Sequence, residues 1–319
     1  MDLLGLFGYL TFFLSMAAIY AVLALGLNLQ WGYTGQLNIG VAAFFAVGAY
    51  TAAIATTAPS ANHLGGFALP FVAGLVLAML IAGILALVVG LITLRLRTDY
   101  LAIATIGIAE IVRLVLKNEA WLTNGVRGIP SIPRPFAGGS GIADNIAYLG
   151  VIVAITALVY LGMQRLFASP WSRVLRGIRT NEDAVTAAGK NVLRFRVEAF
   201  VIGSMIMGLG GALYAHFSGF ISPGAFDPMF ATFVVWVMLI AGGSGNNRGA
   251  ILGALVIWAV WTLSETLAGA LPGDLGSRAP ALRIFLIGLL LEIILVTRPQ
   301  GILPERPPRA IDRSADEQR

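Results

Sequence analysis

Few residues in this chain are of types that do chemistry, and their spacing argues against a catalytic site. No cysteine occurs among its 319 residues, which removes thiolate nucleophiles, disulfides and Cys-held metals. The two histidines, His63 and His216, lie in different segments, so neither a His-based metal site nor a His acid–base pair is expected. Ionisable groups inside apolar stretches are scattered. Glu110 and Arg113 stand three apart on one predicted helix, where an internal ion pair is the economical arrangement. Glu265 and Glu292 have no local partner, and a proton relay would need a chain of such groups. The run GGSGNNRG (Gly242–Gly249) has the glycines of a phosphate loop. It lacks the Lys-Ser/Thr ending and the preceding strand, so no ATP site is expected on the chain itself. The reading is no catalytic residue, no metal and no cofactor held by this chain.

Two stretches remain. Asn28 to Gly40, NLQWGYTGQLNIG, sets Asn28, Gln30, Tyr33, Gln36 and Asn38 among three glycines between two strongly apolar segments. It reads either as a cytoplasmic turn or as a broken helix at membrane depth, tolerated where protein or a water-filled cavity satisfies its backbone. Uncharged amides suit a path for a polar or zwitterionic solute, which makes these five residues candidates for lining one. The second stretch lies in the charged segment 168–196. There Asn181 or Thr180 can cap a short helix, Glu182 and Asp183 put negative charge at its N-terminus, and Ala184, Val185, Ala187 and Ala188 give it an apolar side. Gly189 and Lys190 form its stop. A helix of about eight residues is marginal alone in water, so it must dock, either back on its own chain or on a cytoplasmic partner.

The elements that position these stretches are membrane helices. The chain is 58% hydrophobic and 12% charged, about half the charge of an ordinary soluble domain. Apolar spans are predicted near 6–28, 37–57, 68–94, 100–116, 146–167, 197–217, 228–243, 249–270 and 281–297, nine in all, with short polar turns setting a range of roughly eight to ten. Small residues every fourth position, Ala78, Ala82, Ala86 and Gly90 in one span and Ser204, Gly208 and Ala212 in another, predict close helix packing. Of the 21 Lys and Arg, 15 fall in segments assigned to one side: Arg95 and Arg97, seven around 165–196, Arg248, and five from Arg298 onward. That asymmetry makes the C-terminus cytoplasmic and, with nine spans, the N-terminus exterior. The fold class is thus an all-α polytopic membrane bundle. It has one domain over 1–300, an exterior loop at 117–145, a cytoplasmic loop at 168–196 and a polar tail at 301–319. The net charge of +5 reports this orientation and not nucleic-acid binding.

Five stretches together resemble a known family. They are GLNLQWGYTGQLNIGVAAFFAVGAYT (Gly26–Thr51), LRLRTDYLAIATIGIAEIVRLV (Leu94–Val115), NEDAVTAAGKNVLRFRVEAFVIGS (Asn181–Ser204), GGSGNNRGAILGA (Gly242–Ala254) and RPQGILPER (Arg298–Arg306). In this order they resemble the branched-chain amino-acid permeases of bacterial ABC importers, the LivM-type subunit more closely than the LivH-type. The resemblance implies that the Glu182–Gly189 helix, in the coupling loop Asn181–Lys190, is the coupling helix that docks in an ATP-binding subunit. Its Glu-Asp-Ala and Ala-Ala-Gly at 182–184 and 187–189 depart from the commonest form of that loop. It further implies a second homologous permease subunit, two cytoplasmic ABC ATPases carrying the ATP, an extracytoplasmic solute-binding protein and a site in the inner membrane. The implied activity is inward transport of Leu, Ile, Val or a related small polar solute by alternating access. Urea and short amides are alternatives within the class, and an ion-coupled secondary transporter is the alternative outside it.

Overall fold

Each of the nine predicted spans forms a helix in the computed structural model, which describes residues 3–60, 63–136, 141–269 and 279–305. In chain order the helices are α1 (Leu3–Leu27), α2 (Val41–Thr56), α3 (Phe71–Thr93), α4 (Thr98–Asn118), the single turn α5 (Ala120–Thr123) and α6 (Gly141–Ala168). Then follow α7 (Pro170–Thr180), α8 (Glu182–Ala187), α9 (Val192–Ser218), α10 (Pro228–Gly242), α11 (Asn247–Gly269) and α12 (Ala279–Thr297). Five of these (α1, α3, α6, α9 and α11) are long and apolar enough to cross a membrane, and α2, α10 and α12 contain shorter apolar helices. The ninth span, α4, is 21 residues long but less apolar, because Asp99, Glu110, Arg113 and Lys117 lie on it. Among the described residues the only β pairing is one antiparallel bridge between Ile129 and Ile221.

Helix α9 is the hub, with α1, α2 and α3 packed around it and the α10–α11 hairpin closing on α1. Side-chain size explains the hub. A membrane gives helices no hydrophobic drive to associate, so small residues that admit close backbones decide which faces meet. The two predicted stripes face each other. A Cβ on Gly208 of α9 would sit 2.5 Å from the Cβ of Ala82 and 2.9 Å from the carbonyl of Ala78 on α3. On the other flank a Cβ on Gly48 of α2 would lie 2.1 Å from the Gly208 carbonyl oxygen. The outer surfaces of α3 and α6 are apolar and exposed, as at Val76, Ile84 and Ile92 on α3 and Leu158 on α6. These faces are apolar enough to lie within a membrane.

The arginine-rich loop and the C-terminal segment gather at one end of the bundle, called the basic end below. At the opposite end the long connector is pinned rather than loose. Ile129 and Ile221 exchange backbone hydrogen bonds of 2.9 and 3.1 Å, and Arg134 donates to the Phe217 carbonyl and, at 2.7 Å, to Asn145. The Arg134 guanidinium also lies over the rings of Tyr148 and Phe217.

Candidate functional site

The polar stretch after α1 is a turn whose returning limb runs inside the bundle. Helix α1 widens into one π-helical turn, Asn28–Tyr33, and residues 34–40 then run without helix until α2 begins. The break closes on itself: Gly35 N–H donates to the Trp31 carbonyl at 2.9 Å, Gln36 N–H to the Gln30 carbonyl at 2.9 Å, and the Thr34 hydroxyl to the Leu29 carbonyl at 2.8 Å. Glycine has a steric role here, because a Cβ on Gly32 would fall 2.5 Å from the backbone nitrogen of Gly245.

Two of the five candidate residues, Gln30 and Asn38, join in one side-chain network, and the other three make separate contacts. Gln30 Nε2 donates to the Phe200 carbonyl at 2.8 Å and to Ser204 Oγ at 3.0 Å, while its Oε1 accepts from Asn38 Nδ2 at 2.7 Å. Asn38 Oδ1 accepts from Gly40 N–H, and its carbonyl accepts from the Trp236 indole of α10. Asn28 bridges to the α10–α11 turn, donating to Asn247 Oδ1 at 3.0 Å and accepting from Gly245 N–H at 2.8 Å. Gln36 reaches the Arg196 carbonyl at 2.8 Å, one turn nearer the start of α9. Tyr33 stacks on Phe167 at 3.5 Å between centroids. Asn28, Gln30, Gln36 and Asn38 are fully buried, and Phe200 lies about 12 Å along α9 from its first residue. The stretch turns at the basic end, and its amides are buried inside the bundle. In this conformation their polar atoms meet backbone groups, Ser204, Asn247 and one another, except Gln36 Oε1, which is buried without a partner.

The charged loop forms two helices where sequence marked one. Pro170 at the first position of α7 and the spacing of Ser172, Leu175 and Ile178, all buried, make α7 an amphipathic helix lying on the bundle. This signal was legible but masked by three arginines, Arg173, Arg176 and Arg179. Helix α8 follows at once and is capped at both ends. Of the two candidate caps Asn181 is used, its Oδ1 accepting from Ala184 N–H at 3.0 Å; Thr180 instead donates to the Arg176 carbonyl. At the other end Gly189 takes φ +74°, the left-handed conformation that glycine favours. Its N–H bonds the Thr186 carbonyl at 2.9 Å and the Lys190 N–H bonds the Val185 carbonyl at 3.3 Å, the paired bonds of a Schellman stop. Ala188 and Gly189 thus terminate a helix of six residues.

Helix α8 has no buried residue. Val185 rests against α7, where its methyl lies 2.9 Å from a Cβ built on Gly177, and Glu182 pairs with Arg196 at 3.3 Å. Glu182, Asp183, Ala184, Ala187, Ala188, Gly189 and Lys190 are exposed. The helix is preformed on a short pedestal and offers most of its surface outward.

One arginine joins this loop to the broken end of α1. Arg179, in the last turn of α7, donates to the carbonyl of Gly32 and pairs with Glu305 at 2.6 Å. Glu305 lies on a strap, described over residues 298–305, that rests on the α10–α11 turn: Ile302 N–H and Leu303 N–H each donate at 2.9 Å, to the carbonyls of Ala241 and Gly242. The domain boundary expected at 301 cuts through this strap, and 306–319 lie outside the described residues. Sequence reasoning missed Arg179, Asn247 and Glu305 as members of the site. Their partners are more than 100 residues away, and no local pattern carries such pairings.

The other candidates fall elsewhere. Glu110 and Arg113 form the expected ion pair, with Arg113 Nε donating to Glu110 Oε2 at 2.9 Å. Glu292 is exposed on α12, and the Glu265 side chain lies outside the described residues. Among the described residues no three His, Asp or Glu side chains converge as a metal site would require.

Residues 9–295 match the protein family described as "Branched-chain amino acid transport system / permease component". The chain belongs to that family. It is 31% identical over 316 residues to a probable branched-chain amino acid transport permease protein LivM of Methanocaldococcus jannaschii, covering 91% of each chain. It is also 31% identical to the LivM permease of Salmonella typhimurium, over 92% of this chain and 70% of that one. The LivH permease of the same organism is 26% identical, over 91% of this chain and 92% of its own length. No solved structure matches the chain. The chain is thus a multi-pass membrane permease, the membrane-spanning subunit of an ABC importer, and permeases of both kinds named among its relatives match it over 91% or more of its length.

Proposed function

We propose that this permease carries branched-chain amino acids inward and that α8 is the part that receives the force of ATP hydrolysis. The observation that carries the reading is α8 itself: capped at both ends, resting on α7, and exposed along most of its length. One of two cytoplasmic ATPases docks there and the other on the second permease, which sets the basic end and the C-terminus in the cytoplasm of a cell whose inner membrane holds the bundle. A second, LivH-like permease completes the membrane pair, and an extracytoplasmic binding protein delivers solute to the opposite end. ATP stays on the ATPases, and the chain performs no covalent chemistry.

Movement passes from α8 to α7 and, through Arg179, to the Gly32 carbonyl and the strap. The same break bears the amides of Asn28, Gln30, Gln36 and Asn38. In the conformation described they hold the break closed. When α7 shifts, the break loosens and these amides, with Tyr33 beside them, face the solute. Leucine uptake by proteoliposomes holding the chain with its co-purified subunits tests the proposal. ATP-dependent uptake that survives an uncoupler is expected. Uptake abolished by uncoupler with ATP still present would point instead to an ion-coupled transporter.

A further inference from the structure

We propose that an anionic phospholipid of the leaflet at the basic end binds as a structural ligand between α6 and α11. Two neighbouring cavities carry the proposal. The first is a polar cleft of about 520 Å³ at the basic end, bordered by Tyr33, Tyr160, Gln164, Arg176, Asn247 and Arg248. The second is an apolar groove of about 370 Å³ lined by Leu14, Ala18, Leu149, Ala157, Ile251 and Leu255. Tyr160 lines both, so the polar cleft and the apolar groove adjoin at this residue.

The chemistry of the cleft selects a negatively charged acceptor. Asn247 is 2% exposed, and its Nδ2 is buried without a hydrogen-bond partner although its Oδ1 is used by Asn28. A buried N–H left unmade costs about 1–3 kcal/mol, so a ligand that accepts from it is favoured there. Arg176 and Arg248 flank it with positive charge. The carboxylate on the rim, Glu305, is matched by Arg179 at 2.6 Å, so it does not oppose an anion with a free charge.

The groove distinguishes a lipid from a free phosphate. It runs along α6 from Leu149 to Tyr160, eleven residues or about 16 Å of helix. One leaflet of hydrocarbon is about 15 Å deep, half of a 30 Å core. Polar head and apolar slot are therefore arranged in the order and at the length that a phospholipid requires. Basic pockets between membrane helices recognise anionic headgroups by this electrostatics.

Native mass spectrometry of the detergent-purified full chain, titrated with phosphatidylglycerol, phosphatidylcholine or inorganic phosphate, tests the proposal. One retained phosphatidylglycerol is expected, preferred over phosphatidylcholine by roughly tenfold. Arg248→Gln should cut that preference by about fivefold while leaving phosphatidylcholine binding unchanged. Ala157→Phe, which fills the groove from an exposed position on α6, should weaken both lipids; circular-dichroism melts equal to the parent show that it folds. Equal retention of the two lipids, or retention unaffected by both substitutions, would overturn the proposal. Inorganic phosphate that displaces phosphatidylglycerol completely would assign the cleft to a free anion and overturn the lipid.

Discussion

Replacing Gly48 by alanine is the sharpest test of the packing described. The added methyl would lie 2.1 Å from the Gly208 carbonyl oxygen and 2.5 Å from its Cα, both of them backbone atoms that cannot rotate aside. Ordinary contact begins near 3.4 Å, so α2 and α9 would have to part by more than about one ångström. Overpacking of this kind costs about 1–3 kcal/mol. Because Gly208 also touches Ala78 and Ala82, the displacement spreads to the α3–α9 contact, which places the expected loss at the upper part of that range. The control is Gly107→Ala on α4, where a Cβ meets nothing within 4 Å. There the better helix propensity of alanine makes the change neutral or stabilising by up to about 1 kcal/mol. Tryptophan-fluorescence or circular-dichroism unfolding in mild detergent reads both, since six tryptophans report on the fold. Gly48→Ala unfolding together with Gly107→Ala would refute the close α2–α9 approach.

Three further predictions concern the site. Asn181→Ala removes the only side-chain cap of α8, worth about 1 kcal/mol, and should weaken ATPase retention by about fivefold in a detergent pull-down; unchanged retention would mean that α8 does not need to be preformed. Arg179→Ala cuts the links to Gly32 and Glu305 without touching α8, so ATPases should still co-purify while leucine transported per ATP hydrolysed falls severalfold; a normal ratio would remove Arg179 from the transmission route. Replacing Asn28, Gln36 and Asn38 together by alanine empties buried bonds each worth roughly 0.6 kcal/mol in membrane proteins, so the chain should fold with lower stability and lose uptake; normal uptake would sink the path assignment.

What could be read from sequence was what is encoded locally. Apolar length located the helices, and the four-residue spacing of Ala78, Ala82 and Ala86 announced a packing face that meets Gly208. Asn181 and Gly189 marked the ends of α8 to within two residues, because caps and stops are short-range chemistry. The amides of 28–38 were visible as anomalous, yet their partners were not: Gln30 meets Phe200 and Ser204, and Asn28 meets Asn247, across 170 residues or more. Helix α7 was obscured because its buried residues are only three among Arg173, Arg176 and Arg179, and composition dominated periodicity. The strap 298–305 was read as the start of a polar tail, since backbone bonds to a glycine turn leave no side-chain pattern.

The most direct test of the central claim, that α8 couples this permease to separate ATPases, is a pull-down of the tagged full chain from its native membrane in mild detergent, with mass spectrometry of what accompanies it. It is repeated with residues 181–190 replaced by a Gly/Ser linker. Two ATPase polypeptides or one in two copies, with a second permease, should accompany the parent chain, and the linker variant should keep the permease and lose the ATPases. ATPases retained by the linker variant, or absent from the parent under conditions that keep the second permease, would contradict the assignment of α8.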